Sequence, residues 1–407
     1  MSLRTVKDRT SEAVDALADR LIALSHGVHA TPETCYEEHR SSEMVADLLA
    51  TDSRFTVSFG AADLDTAFVA RAGTGPLHLS ICAEYDALPG IGHACGHNVI
   101  AASAVGAGLA LAQFADDLGI SVFVHGCPAE EGGGGKIRML EAGLFDGMHA
   151  SMMVHPSPTE ADRMHCLSVS HFDVAYRGKT AHASAFPQDG INAADAITVA
   201  QVGLGLLRQH IKATDRIHGI VTKGGDAPNI VPDHTIYKAY VRARTIAELD
   251  ELMPKTLNVF AAGALATGCT HEIVHFSPPY SEFLDDEDTL ALYRANAESL
   301  GRHFPAPQKR RPAGQPHDGE HAFSASTDMA NVSLRIPSIH PMLGIDARGS
   351  SNHQPGFTAA CAEASADHAV RDGALAMALT CVDLATDPTH RARLLAPSRQ
   401  NEGCSVE

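Results

Sequence analysis

Residues 77–98 read LHLSICAEYDALPGIGHACGHN, an apolar run that gives way to a loop dense in carboxylate, imidazole and thiol groups. The run Leu77–Ala83 (LHLSICA) is of strand type. Ile120–Cys127 (ISVFVHGC) and Ala150–Val154 (ASMMV) share its character. Helical segments starting near Asn98 and near Gly134 separate the three. Buried strands alternating with helices predict an α/β sheet covered on both faces. In such sheets the ligand site lies beyond the carboxyl ends of the strands. The residues just after Ala83, Cys127 and Val154 therefore share one edge.

Working outward, the first fifty residues read as a long amphipathic helix, a break at Thr31–Pro32, and a second helix from about Glu37. Downstream the rhythm changes. Ser168–Arg177, Ile217–Thr222 and Thr235–Arg244 read as strands, with helices at about Asn192–His210 and Ile246–Thr267 among them. That is a compact α+β unit of ordinary domain size. Helix and strand alternate again from Asp285, through Leu290–Leu300 and a last helix Thr358–Leu384. The middle unit reads as an insertion over residues 167–278, which leaves the first domain discontinuous over 1–166 and 279–407.

The chain has 407 residues, 44% hydrophobic and 20% charged, with a formal charge of -18. That balance argues against a partner that presents a phosphate backbone, since nucleic-acid binders need a basic face. Nine cysteines are scattered from Cys35 to Cys404, and the N-terminus has no apolar core of the signal-peptide kind. Both features predict a reducing, cytoplasmic setting with free or metal-bound thiols. The longest apolar stretch, Val99–Ala115, carries Ser103, Gly106, Gly108 and Gln113 and reads as a buried helix, not a membrane anchor.

The chemistry gathers at the strand ends. After the first strand come Glu84, Asp86, His93, Cys95, His97 and Asn98; after the second, CPAEEGGGGK brings Glu130 and Glu131. The third delivers His155, and far downstream SNHQPGF supplies His353. A thiolate, neutral imidazoles and a carboxylate suit zinc or a similar divalent ion. Of two adjacent glutamates, one can bind metal while the other stays available as a base. Each feature alone is ordinary: a surface histidine, a small buried cysteine, a solvated acidic loop. GGGGK lacks the spacing and the following Ser/Thr of a phosphate loop. Four such segments converging on one edge point to a metal site.

The order AEYDALPGIGHACGHN, PAEEGGGGK, MMVHPSP, GKTAHASAFPQDGINAADA, NIVPD, STDMANVS and Asn-His-Gln-Pro-Gly-Phe resembles one family over His29 to about Asp387. It is that of the aminoacylase and hippurate-hydrolase-like metallopeptidases, which include the aminobenzoyl-glutamate and auxin-conjugate amidohydrolases. The wording is nearest the aminoacylase-1-like subgroup. The resemblance implies a mostly parallel central sheet of the zinc-exopeptidase type, an inserted lid through which members dimerise, and two divalent metals per subunit. Zinc is the first choice, with manganese, cobalt or nickel open. Cys95, His97, Glu131, His155 and His353 match family ligands, and Glu130 matches the general base. His182 matches a lid histidine that steadies the oxyanion in a neighbouring site of dimeric relatives. Asn229 and Arg242 match lid positions associated with substrate. Glu84 departs from distant relatives, which carry His there, and Asn98 replaces an Asp common among cousins.

The activity so implied is hydrolysis of the amide bond in small N-acyl amino acids or conjugates. A dipeptidase acting on free-amine dipeptides is the alternative with the same fold and metals. A metal-containing binding protein without turnover would not need Glu130 beside Glu131. A structural-zinc module would need Cys-x-x-Cys pairs, and the sequence has none. Asp86 is placed to orient a ligand. His26, His39 and His93 read as structural. Ser326, Thr327 and Asp328 either touch substrate or close a turn. His29, Pro32, Glu33, Glu37 and Glu38 resemble a family motif or only cap the second helix.

Overall fold

The amphipathic N-terminal stretch forms α1 (Leu3–His29), whose apolar stripe Val14, Leu21, Leu24 and Val28 is buried. The chain turns at Thr31–Pro32 and enters α2 (His39–Ala50). In this computed structural model residues 3–305 and 324–396 are described. The polypeptide divides into two compact units. One comprises Met1–Met164, Phe283–Pro312 and Thr327–Glu407, the other His165–Glu282 and Ala313–Ser326.

In the first unit, β1 (Thr56–Phe59), β2 (Phe68–Ala72), β3 (Leu77–Glu84), β4 (Ile120–Cys127) and β5 (Ala150–Met152) build a sheet in the order β1-β2-β4-β3-β5, closed by Ser338–Ile339. The β3–β4, β3–β5 and β5–Ser338 pairs are parallel, and the β1–β2 and β2–β4 pairs antiparallel. The sheet is thus mixed and mostly parallel, and helices surround it. The helix α3 (His97–Ala112) is buried at every residue. It is rich in Ala and Gly, so α1 and the helix Ala364–Thr386 both pack on it.

The structure differs from the sequence reading at several places. Both hairpin strands lie outside the sequence reading: β1 is mostly exposed without alternation, and β2 is a short buried run interrupted by exposed Arg71. The helix expected over Thr358–Leu384 is broken into Pro355–Ala360 and Ala364–Thr386, although AACAEAS contains no breaker to announce the stop, and a further helix, Pro388–Leu395, follows it. The third strand ends at Met152, and His155–Ser157 forms a second short strand, parallel to Met342–Gly344.

The second unit is a four-stranded antiparallel sheet, ordered Thr270–His275, Ser168–Arg177, His234–Ala243, Arg216–Lys223. Thr270–His275 escaped the sequence reading, being an exposed edge strand of mixed polarity. Helices Ala193–Leu207 and Ile246–Thr267 cover one face, with Phe172, Val174, Tyr176, Tyr237, Val241 and Phe260 in the core between. Among the described residues no helix is long and apolar enough to cross a membrane. The eight described cysteines are all free thiols, and Cys404 lies outside the described residues.

Candidate metal centre

Just past β3 the chain makes a tight loop into the N-terminus of α3, and Gly96 is the hinge. Its φ is +85°, and a Cβ there would lie 2.4 Å from Pro156 Cγ. Only glycine fits a left-handed position so closely approached. The turn sends the Cys95 thiol and the His97 ring to the same side. Cys95 Sγ lies 3.4 Å from His155 Nε2, which arrives from Val154–Pro156 at the next strand end.

The second segment follows β4. Glu131 Oε1 is 3.8 Å from His97 Nε2 and 3.6 Å from His353 Nε2. His353 has a left-handed φ of +66°, and its backbone N–H donates to the Ala94 carbonyl at 2.8 Å. That bond ties the late Asn-His-Gln loop to the Cys95–His97 turn. The result is two donor groups, Cys95/His97/His155 and Cys95/Glu131/His353, each with ligand atoms within 4.8 Å of one another. Cys95 belongs to both. All five residues named from the sequence as ligands fall here.

Asp86 supports the cluster from behind. Its Oδ1 accepts from His97 Nδ1 at 2.9 Å and its Oδ2 accepts from the Glu131 backbone N–H at 3.0 Å. One carboxylate thereby holds the proton on Nδ1, so that Nε2 is the nitrogen a cation would take by displacing its proton, and fixes the glutamate's backbone. Burial works against a charged His97, but Asp86, then Cys95 and Glu84, hold its pKa well above the ordinary value. Burial, with His340 and His97 alongside, keeps His155 well below it, in the neutral form that binds metal. Burial and the charge of Glu131 push the Cys95 thiol up.

The donors fit a divalent cation. His97 Nε2 and Glu131 Oε1 are buried and make no hydrogen bond. Buried polar atoms are nearly always partnered, because an orphan costs roughly 1–3 kcal/mol. A cation would satisfy both atoms, and its charge would reverse the forces that keep Cys95 protonated.

Glu130 approaches the same His97 nitrogen as Glu131 but belongs to a separate group. Its Oε2 is 3.8 Å from His97 Nε2, and with Glu84 and His97 it forms a third, wholly buried group. Burial, then Glu84, Glu131 and Asp328, push its pKa well above the usual carboxylate range. Beneath lies an ion triad that the sequence did not announce. Lys136 Nζ sits 2.5 Å from Glu84 Oε1 and 2.6 Å from Asp328 Oδ1, and all three side chains are fully buried. Asp328 also accepts from the Lys136 backbone N–H at 2.9 Å. The sequence left Asp328 either to touch substrate or to close a turn; here its carboxylate holds Lys136. His340, also missed, is buried with its ring 5.5 Å from that of His155.

The other candidates distribute as follows. His26 pairs with Asp367, and exposed His39 lies 3.7 Å from Glu37. His93 is buried, its pKa lowered to about 4 by burial. In the second unit His182 is exposed, and its Nδ1 faces the Ser184 hydroxyl and the backbone N–H groups of Ser184 and Ala185 at 3.3–3.4 Å. Asn229 is exposed and accepts from the Ala183 N–H through its carbonyl. Arg242 is half-buried and donates to Ser326 Oγ at 2.9 Å.

A mostly parallel sheet with a thiolate, imidazole and carboxylate cluster at its strand ends, and a separate buried glutamate beside it, defines the metallohydrolase class. Comparison with known proteins gives the family. The family model described as Peptidase family M20/M25/M40 matches residues 62–371, and the chain belongs to that family. It is a hydrolase acting on amide bonds. A mouse protein named Xaa-Arg dipeptidase is 36% identical, the match covering 100% of this chain and 94% of that protein. One of the polypeptides of the Escherichia coli p-aminobenzoyl-glutamate hydrolase is 30% identical, the match covering 73% of this chain and 65% of that polypeptide. The crystal structure of the Bacillus subtilis YXEP protein, described as a dinuclear metal binding peptidase from the M20 family, shares the fold. Its TM-score is 0.66 at 21% identity, covering 91% of this chain and 99% of that one.

Proposed function

We propose that this chain is a two-metal dipeptidase that cleaves the amide bond of small dipeptides, with the N-acyl amino acid hydrolase as the second reading. The observation that carries the choice is the match to the Xaa-Arg dipeptidase, which runs the full length of this chain at 36% identity. The aminobenzoyl-glutamate hydrolase match is lower and partial. Cys95, His97, Glu131, His155 and His353 would hold the ions. The thiolate favours zinc. When bound, a divalent pair lowers the pKa of a shared water and polarises the substrate carbonyl.

The protein side of the reaction falls to Glu130. It takes the proton from the attacking water and hands it to the leaving amine, a task suited to a carboxylate whose pKa is raised. His182 is assigned to the oxyanion. Its Nδ1 accepts from the adjacent N–H groups, which leaves Nε2–H as the ring's donor. Asn229 and Arg242 are assigned to substrate, Arg242 for a carboxylate. The inserted unit would act as the lid. The free described thiols accord with a cytoplasmic setting.

The test is a panel of Xaa-Arg dipeptides, other dipeptides and N-acyl amino acids, read as kcat/KM on metal-analysed enzyme. Xaa-Arg substrates are expected to exceed N-acyl amino acids by well over tenfold, since a site built to hydrogen-bond one polar group rejects analogues lacking it by up to ~10⁴–10⁵. A preference for N-acyl substrates would move the assignment to the second reading. A chain without bound metal would remove both.

We also infer a homodimer through the inserted unit. On the helix Ala193–Leu207 the residues Val199, Val202 and Leu206 share one face, and Leu206 is 70% exposed. The neighbouring strand Arg216–Lys223 is a sheet edge carrying Ile220, 63% exposed, and Val221. Unpaired edges and apolar patches of this kind are covered in stable proteins. Val202→Glu with Leu206→Glu is expected to yield a folded monomer by sedimentation. A variant that sediments like the wild type would place any association elsewhere.

A further inference from the structure

The N-terminal motif around Glu33–Glu38 is not absorbed by the metal centre, and two of its three acids do different jobs. Glu33 caps α2: its carboxylate accepts from the backbone N–H groups of Arg40 at 3.2 Å and Ser41 at 2.8 Å, and from Ser41 Oγ at 2.8 Å. Glu38 stands at the helix N-cap position but makes no capping bond. It is fully buried and points away from its own helix. Its Oε1 accepts from the backbone N–H of Tyr36 at 2.9 Å and from that of Ala129 at 2.9 Å, ninety-one positions away in sequence. Its Oε2 accepts from Thr66 Oγ1 at 3.0 Å.

Both backbone donors sit on left-handed residues. Tyr36 has φ +62° and Ala129 φ +57°, each in a region that L side chains avoid. Such conformations persist only where surrounding structure holds them. Ala129 directly precedes Glu130. Its carbonyl in turn accepts from the N–H groups of Gly133 and Gly134 at 2.9 Å. Tyr36 closes the arrangement, its Oη donating to the Gly133 carbonyl at 2.7 Å. A Cβ on Gly133 would lie 2.5 Å from the Tyr36 ring, so the glycine run is shaped to this neighbour.

We propose that Glu38 is a positioning residue for hydrolysis: its one oxygen pins the left-handed Ala129 and thereby aims the Glu130 carboxylate. The inference rests on Glu130 being the base. Burial, and next Asp86, raise the Glu38 carboxyl to about 7, so near neutrality both protonation forms are present. Either form retains an accepting oxygen. Glutamine retains it too, and alanine does not.

The experiment measures kcat, KM, metal content and thermal midpoint for Glu38→Ala, Glu38→Gln, Glu38→Ala/Ala129→Gly and Glu130→Gln. The substrate is the best dipeptide or N-acyl amino acid of the panel. Glu38→Ala is expected to lose about 10²-fold in kcat, the penalty of a misplaced catalytic group, with KM and metal content near wild type. Glu38→Gln is expected to recover most of that loss. Ala129→Gly, which adopts positive φ freely, is expected to rescue Glu38→Ala in part. A Glu38→Ala enzyme with unchanged kcat overturns the proposal, as does a loss that Glu38→Gln shares in full. A loss that follows the thermal midpoint or metal content alone overturns it also. If instead Glu130→Gln keeps its activity, the base assignment fails, and the two failures are told apart within one data set.

Discussion

Glu130→Gln is expected to lower kcat by roughly 10³-fold, within the ~10²–10⁴ range for loss of general acid–base catalysis, while leaving metal content intact. The substitution is nearly isosteric and removes only proton affinity. Glu130 stands outside both donor groups that share Cys95. Its neighbour gives the contrast. Glu131 lies 3.6 Å from His353 Nε2 and belongs to one of those groups, so Glu131→Gln is expected to lose metal and activity together. The decisive comparison is metal per chain against kcat for the two variants. If Glu130→Gln also sheds metal, then the group Glu84/His97/Glu130 binds a cation and the base must be sought elsewhere. If it turns over at near the wild-type rate, the proton path does not run through it.

The strands that position this site were readable because they are buried. The limits of Ile120–Cys127, Ser168–Arg177 and Ile246–Thr267 agree between sequence and structure, the first apolar, the second alternating and the third of helical period despite Pro254. The exposed β1 and Thr270–His275 carried no such pattern, and the break near Cys361 has no glycine or proline to mark it. The site divides along the same line. Cys95 and His97 are ordinary taken singly and stood out because four ligand-bearing motifs fall at one sheet edge. The pairings that support them did not. Lys136 looked like the polar end of a glycine run, and Asp328 like a turn former. Their partnership spans 192 positions and exists only once the helix Gly135–Glu141 and the loop before Met329 are folded. Glu38 is a similar case, since nothing local shows that an acid at a helix start would bond to Ala129.

Lys136→Met is expected to destabilise the protein by about 3–5 kcal/mol, the usual result of removing one member of a buried ion group. At this size that corresponds to a fall of roughly 4–6 °C in the thermal midpoint. Methionine keeps the length of the side chain, so the loss would be electrostatic. With Lys136 gone, Glu84 and Asp328 are left without the cation they share at 2.5 and 2.6 Å, in a region that also holds Glu130 and Asp86. That reasoning sets the rescue. Glu84→Gln combined with Lys136→Met removes one of the stranded charges, and adding Asp328→Asn removes the other. Stability is expected to climb stepwise through the series, since neutralising a buried ion group completely is often close to neutral. Calorimetry on metal-free and metal-loaded protein separates two accounts. If metal loading restores Lys136→Met without the companion changes, the nearby cations carry the charge balance and the lysine is secondary. If none of the combinations recovers stability, the lysine matters for packing and its backbone bond to Asp328, not for its charge.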